Sequence, residues 1–218
     1  MRGLICKDLR LMLVQKNFFI MLAFVAFVCM AALDDPAFVV MYVTLIFASF
    51  LMSTMSYDEF DNGYPFLFTL PITRKLYVQE KYVLGMAGGG IAWLLSTLLA
   101  GIAFFLTQGG LPPLSWFVLP FAALPMLVLL IALMIPFKLK FGGENGRLAM
   151  LLAIAAVCAI FGAALGLMQS MGISVQTITA VLPAMSMALS ALLILVICAL
   201  IVAISCGIST HIMEHREF

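Results

Sequence analysis

Two groups of side chains have types and spacings that could hold a metal ion. The acidic run from Asp58 to Gly63 has the look of a calcium loop, and His211 and His215 lie one helical turn apart. A calcium loop needs an oxygen ligand at its third position, where this run has Phe60. The two histidines at the end of an apolar segment are more typical of a solvated helix end. The sequence therefore predicts no metal ion and no cofactor on this chain.

The sequence also lacks the motifs of catalysis that a membrane protein of this kind could carry. It contains no GxxxxGK[ST] phosphate-binding loop and no HExxH zinc motif. Its long apolar stretches have almost no ionisable residue, which argues against a proton-coupled carrier, an ion pump or an intramembrane metalloprotease. We expect a non-catalytic chain that does not bind and hydrolyse ATP by itself.

The composition predicts an all-α protein that crosses a membrane several times. Hydrophobic residues make up 65% of the chain and charged residues 10%, with a mean hydropathy of +1.22. Soluble domains carry roughly a quarter charged residues. The 218 residues leave room for one membrane domain, and the net charge of +1 gives no sign of a nucleic-acid partner.

Six stretches are long and apolar enough to be transmembrane helices, since a span needs roughly 20 such residues. They cover residues 17–33, 37–55, 82–106, 116–137, 148–167 and 181–208. The fourth contains Pro120, Pro125 and Pro136, which we expect to kink it.

The basic residues predict the orientation of these spans. All eleven lie in the N-terminal segment, in the second and fourth connections and in the C-terminal tail, and the other three connections have none. Because cytoplasmic loops carry an excess of lysine and arginine, both termini are predicted to be cytoplasmic. The groups are Arg2, Lys7, Arg10 and Lys16; Arg74, Lys75 and Lys81; Lys138, Lys140 and Arg147; and Arg216.

Small residues recur on one face of the third span. Gly85, Gly88, Gly89 and Ala92 lie there, and residues 162 and 166 form a second small-xxx-small pair in the fifth span. Such residues let membrane helices approach closely. They could allow close packing within one subunit. Alternatively, they could contact a second subunit or form a surface along which helices slide.

The second connection, residues 56–81, is the longest polar one. Phe60, Tyr64, Leu67 and Phe68 recur at helical spacing and predict a short amphipathic helix. Thr73 is placed to cap a following helix that continues into the third span. This element could transmit a push from a soluble partner, or it could merely lie on the membrane surface.

This connection resembles the first cytoplasmic loop of the permeases of type-2 ABC exporters. The family pattern is an acidic pair, a glycine, a Leu-Pro-(small)-Arg-Lys turn and a Lys-Tyr pair that enters the third span. The resemblance is to the bacterial branch that includes the phenol-soluble modulin exporters, and with the six spans it covers essentially the whole chain. The matching residues here are Asp58, Glu59, Gly63, Leu70, Pro71, Ile72, Thr73, Arg74, Lys75, Val78, Lys81 and Tyr82.

The resemblance implies a single transmembrane domain over residues 1–218. An interfacial helix (1–16) precedes spans one and two (17–55), a coupling loop (56–81) and spans three and four (82–137). A cytoplasmic loop (138–147), spans five and six (148–208) and a cytoplasmic tail (209–218) follow. The family often has a re-entrant segment before the last span, and whether residues 169–183 form one stays open. On the N-terminal helix, Ile5, Leu9 and Met12 would form the apolar side, opposite Lys7, Asp8, Arg10 and Gln15.

The resemblance also implies a function and partners. The coupling helix would dock onto a separate ABC ATPase that binds ATP and Mg²⁺, and Asp58, Glu59, Gly63, Leu70, Pro71, Thr73, Arg74 and Lys75 would take part in that coupling. A second permease copy or a paralogue would complete a dimer in the bacterial cytoplasmic membrane. The cargo would be apolar or amphipathic, with amphipathic peptides favoured over a lipid-like molecule. The alternative is a membrane enzyme or regulatory protein with no ATPase partner.

Overall fold

The described part of the chain is helical. The computed structural model describes residues 2–32, 36–59, 63–69, 71–142, 151 and 187–216. Seven α-helices and one short 3-10 helix, Leu114–Phe117, lie in these ranges. The α-helices are α1 (Arg2–Val14), α2 (Lys16–Ala32), α3 (Ala37–Glu59), α4 (Gly63–Leu67), α5 (Arg74–Gln108), α6 (Val118–Phe141) and α7 (Met187–His215).

Four of the described helices are long and apolar enough to cross a membrane, which makes this a polytopic membrane protein. They are α3, α5, α6 and the stretch Leu192–His215 of α7, and a fifth span results if the bent pair α1–α2 counts as one. The predicted fifth span, residues 148–167, lies outside the described residues except for residue 151. The count of six spans and the orientation therefore stay predictions.

The N-terminal helix α1 is separate from α2, with a bend of 68° between them. The side of α1 that packs against the bundle consists of Leu4, Asp8 and Met12, which recur every four residues and are all buried. The predicted apolar side was wrong in two places, because Leu9 is exposed and Asp8 faces inward. Asp8 is buried because it forms ion pairs with Lys7 and Lys81. The spacing of apolar residues does not reveal such ion pairs.

Helices α5 and α6 contact each other, and both α3 and α7 pack against this pair. The glycines of α5 make the contact with α3 and α6 close. A Cβ atom added at Gly85 would lie 2.7 Å from the Met52 side chain, and one at Gly89 would lie 2.5 Å from Leu127. Gly85 and Gly89 therefore serve close packing within the subunit, while contact of this face with a second subunit stays a prediction.

Helix α6 contains two interior prolines, Pro125 and Pro136, whereas Pro120 lies in its first turn. Proline has no N–H, so Pro136 leaves the carbonyl of Ala132, four residues earlier, without its helical donor. The Ser205 hydroxyl of α7 donates to that carbonyl at 2.6 Å. A break in one helix is thus repaired by its neighbour, as an apolar environment requires.

Helix α5 is well defined at both ends. Thr73 is the N-cap, and its side chain accepts a hydrogen bond from the Leu76 N–H at 3.2 Å, which confirms the predicted cap. Gly109 ends the helix with φ +69°, a left-handed conformation that favours glycine. With 35 residues, α5 is about 50 Å long, so it extends beyond a hydrocarbon core of about 30 Å.

Candidate coupling site at the charged end of the bundle

The connection between α3 and α5 is shorter than the predicted loop of residues 56–81. Helix α3 continues to Glu59 and α5 already begins at Arg74, so only residues 60–73 lie between the two helices. Asp58 and Glu59 therefore belong to the last turn of α3, and Lys75 and Lys81 belong to α5. This end of the bundle carries both helix ends, the N-terminal helix and the end of α7, and we call it the charged end.

The short helix α4 occurs within the predicted amphipathic segment, and aromatic rings hold it against α5. The Tyr64 and Tyr77 rings meet edge to face with centroids 5.8 Å apart, and Phe68 meets Tyr77 at 6.2 Å. Burial raises the pKa of the Tyr64 hydroxyl, which is therefore neutral at physiological pH. Gly63 allows α4 to start close to α3, since a Cβ there would lie 2.5 Å from the Asp58 carbonyl oxygen.

The outer surface of this connection is exposed. Phe66 is 73% exposed, although it is a large aromatic residue in a short, otherwise well-anchored helix. The other exposed residues here are Pro65, Thr69, Pro71, Thr73 and Lys75. Together with Phe66 they form what we call the exposed tip.

Asp58 is buried and pairs with its own chain. Its Oδ2 accepts a hydrogen bond from the Tyr77 hydroxyl at 3.0 Å and lies 2.9 Å from Lys81 Nζ, and its Oδ1 accepts one from Lys7 Nζ. Asp58 is 7% exposed. A partner chain would not reach this carboxylate without separating these groups.

Lys81 is the centre of these contacts, and its side chain is completely buried. Its ammonium group donates to Asp8 on α1, pairs with Asp58 on α3 and lies 3.7 Å from Glu80 on its own helix. We call Lys7, Asp8, Asp58, Glu80 and Lys81 the buried charge cluster. It joins α1, α3 and α5, so displacement of one of these helices has to move the others or separate buried charges.

Two arginines join the remaining helices at this end. Arg74 donates to the carbonyl oxygens of Met213, Glu214 and Arg216 at 3.1, 2.7 and 2.9 Å. These carbonyls belong to the last turn of α7 and the residue after it, where a helix leaves its acceptors unpaired. Arg74 on α5 thus caps α7, and its positive charge suits that end of the helix dipole.

Arg216 in turn joins α3 to α6. Its guanidinium donates to Glu59 Oε1 at 2.5 Å and to the Leu139 carbonyl at 2.9 Å. Glu59 also lies against Gly142, whose φ of +76° and lack of a Cβ leave room for the carboxylate. Glu59 is therefore held within the chain, like Asp58.

Farther from the tip, Tyr82 ties α5 to α7. Ser205 uses its proton on Ala132, so the Tyr82 hydroxyl donates to Ser205 at 2.6 Å and accepts from Ser209 at 3.0 Å. The sequence did not predict that these three hydroxyl groups meet, because Tyr82 stood out only as part of the Lys-Tyr pair at the end of the second connection.

Apart from Gly63, which lies against the Asp58 carbonyl, the described residues among the predicted coupling residues fall into two sets. Pro71, Thr73 and Lys75 are exposed, whereas Asp58, Glu59 and Arg74 bind other parts of the chain. Leu70 lies outside the described residues. Sequence reasoning missed Lys7, Asp8 and Glu80 as members of the cluster. Charged residues do lie beside the predicted spans on three segments of the chain. By themselves, however, they predict only the orientation of the spans and not that these side chains meet.

The bundle of long apolar helices with a rigid, charged end defines a polytopic membrane component whose connection between α3 and α5 presents an exposed surface. The chain belongs to the ABC-2 transporter family, because residues 3–214 match the family model described as ABC-2 family transporter protein. No curated protein and no solved structure is significantly similar to it. It is thus the membrane component of an ABC-2 type transporter, a class of subunit that lacks an ATPase domain and works with an ATPase partner.

Proposed function

We propose that this chain is the permease subunit of an ATP-driven exporter in a bacterial cytoplasmic membrane. It would cross the membrane six times with both termini in the cytoplasm, so that the charged end faces the ATPase. Two permease subunits, identical or paired with a relative, would assemble with two separate ATPase chains that bind ATP and Mg²⁺. Family membership disfavours the alternative of an enzyme or regulator without an ATPase partner.

The observation that carries the proposal is the exposed tip between two long helices, next to the ring contacts that hold α4 against α5. Interfaces concentrate their binding energy in a few aromatic or arginine residues that enter pockets of the partner. Phe66 has the required exposure and chemistry, and Lys75 adds a positive charge at the rim. We therefore assign Phe66 as the main contact with the ATPase.

The buried residues have a different role in this mechanism. A push on α4 reaches Tyr77 through Tyr64 and Phe68, and Tyr77 holds Asp58. Through Lys81, the same push reaches α1. Asp58, Glu59 and Arg74 would therefore transmit motion within the permease, while the exposed tip contacts the ATPase.

The cargo we favour is an amphipathic peptide, with a lipid-like molecule as the other candidate. The apolar spans contain almost no charge that could bind an ionic substrate. The loop pattern resembles that of the phenol-soluble modulin exporters, which carry amphipathic peptides.

Docking is tested by co-purification of this chain with its ATPase partner subunit. We expect Phe66→Ala to weaken binding about tenfold, which corresponds to about 1.4 kcal/mol, because it removes the central aromatic contact. Phe38→Ala is the matched control, since Phe38 is an exposed phenylalanine at the opposite end of α3. Equal binding by the two variants would contradict the assignment of Phe66.

Orientation is tested by labelling a cysteine at the tip. Lys75→Cys in a chain without its five native cysteines should react with a membrane-impermeant maleimide only in inside-out vesicles. Reaction in right-side-out cells would place the tip outside and end the proposal.

Cargo is tested in inside-out vesicles that contain the permease and its ATPase. A fluorescent amphipathic helical peptide should accumulate on addition of ATP, and a scrambled peptide of the same composition should not. Equal accumulation of both would rule out recognition of amphipathic peptides.

A further inference from the structure

Glu80 is a completely buried carboxyl group without a hydrogen bond. Neither Oε1 nor Oε2 has a hydrogen-bond partner, and the side chain is 0% exposed. Its nearest cation is Lys81 Nζ, 3.7 Å from Oε2. Burial of a carboxylate is costly unless the charge is paired and its oxygens are hydrogen-bonded. An ionised Glu80 would meet neither condition well.

The groups around Glu80 do not supply the missing partner. Helix α1 contributes Lys7 and Asp8, α3 contributes Asp58, and α5 itself contributes Tyr77 and Lys81. Lys81 already donates to Asp8 and pairs with Asp58, and the Tyr77 hydroxyl donates to Asp58. On α7, the ionisable side chains His211 and Glu214 line a separate groove with Lys75 and Gln79.

The charge balance of the cluster favours a neutral Glu80. The two ammonium groups, Lys7 and Lys81, face three carboxyl groups, Asp8, Asp58 and Glu80. Asp8 and Asp58 each have an ammonium partner within hydrogen-bond distance. With a proton on Glu80, the described cluster contains two cations and two anions and has no net charge, and Lys7, whose side chain is 32% exposed, is its link to solvent.

We propose that Glu80 is a proton-binding site: in the folded protein at neutral pH it is a neutral carboxylic acid, and loss of its proton loosens the attachment of α1 to α3 and α5. Ionised Glu80 would repel Asp8, which is the charged anchor of α1 in the bundle. The unfolded chain, where glutamate is solvated, does not hold this proton. Stability therefore falls as the pH rises through the ionisation of Glu80.

Infrared spectroscopy tests the protonation directly, on the purified full chain in lipid nanodiscs. The wild type at neutral pH should show the carbonyl stretch of a protonated carboxylic acid, and Glu80→Gln should lack it. Glu214→Gln is the matched control, because Glu214 is an exposed glutamate and its replacement should leave the band unchanged. A band that survives Glu80→Gln, or a wild type without a band, overturns the proposal.

Thermal unfolding supplies the second readout. Between about pH 5 and about pH 7.5 the Tm of the wild type should fall, because over this range the unfolded chain has lost the glutamate proton that the folded chain still holds. The Tm of Glu80→Gln should fall markedly less, because glutamine stays neutral. Parallel profiles would overturn the proposal that the Glu80 proton stabilises the attachment of α1. Should Glu80→Gln fail to fold, the wild-type titration decides, since a band that is present at neutral pH and lost on raising the pH supports the site. These measurements need no ATPase, so their outcome is independent of the exporter assignment.

Discussion

Pro136 on α6 and Ser205 on α7 form a complementary pair. The proline removes the N–H that would bind the Ala132 carbonyl, and the serine hydroxyl supplies a donor to the same oxygen at 2.6 Å. In a membrane no water replaces a missing hydrogen-bond donor. This contact therefore fixes the position of α7 along the length of α6. The same serine accepts from Tyr82, so α5 is included in the arrangement.

Ser205→Ala should destabilise the protein by about 1–3 kcal/mol, because the Ala132 carbonyl and the Tyr82 hydroxyl both lose a partner. In a Pro136→Ala background the cost should be smaller, since the substitution restores a backbone N–H that can donate to the Ala132 carbonyl. Unfolding of the four proteins in detergent, arranged as a double-mutant cycle, measures this difference. Additive effects would mean that the serine does not compensate for the proline. Ser209→Ala removes only a hydrogen bond to Tyr82 and should cost less than Ser205→Ala.

Lys81→Met should cost about 3–5 kcal/mol of stability, because it leaves Asp8 and Asp58 buried with too little positive charge. Lys75→Met is the control, as the same change on the exposed side of the same helix should have little effect. Thermal unfolding in nanodiscs compares the two. If both variants melt like the wild type, Lys81 does not hold the cluster together.

Gly89→Leu and its neighbour Gly90→Leu should have different effects on stability. A Cβ at Gly89 would lie 2.5 Å from Leu127, whereas a Cβ at Gly90 has nothing within 4 Å. Overpacking should cost Gly89→Leu about 1–3 kcal/mol, while Gly90→Leu should be close to neutral or slightly stabilising. The unfolding midpoints of the two variants give the comparison, and similar midpoints would argue against close packing of α5 on α6.

The sequence predicted those features of the fold that depend on local chemistry or composition. The cap at Thr73 could be foreseen because capping involves residues three positions apart in the chain. The tight glycine face of α5 could be foreseen too, since small residues in an apolar helix have few other uses. Both depend on short stretches of sequence.

The charge cluster could not be predicted in the same way. Asp8 and Lys81 are 73 residues apart, and nothing in their local spacing shows that they meet. On α1, hydrophobic spacing placed Leu9 inside and Asp8 outside, and the structure has the opposite arrangement. The spacing of apolar residues identifies a buried face only when no buried ion pair competes for it.

The contact between Arg74 and α7 leads to a prediction about local stability. Arg74→Ala should loosen the last turn of α7, because three carbonyl oxygens there lose their donor. A local loss of about 1–2 kcal/mol would speed amide exchange in that turn about five- to thirtyfold. Hydrogen–deuterium exchange of the peptide that contains this turn measures the change.

Arg74→Lys should restore part of the protection, because all three contacts come from the single nitrogen Nη1 and a lysine ammonium group also carries three N–H donors on one nitrogen. Lys75→Ala is the control, because Lys75 is the next residue of α5, its side chain is exposed, and its loss should leave exchange unchanged. Unchanged exchange in Arg74→Ala would mean that α7 keeps its end without help from α5. The role proposed for Arg74 in transmitting motion within the permease would then lose its structural basis.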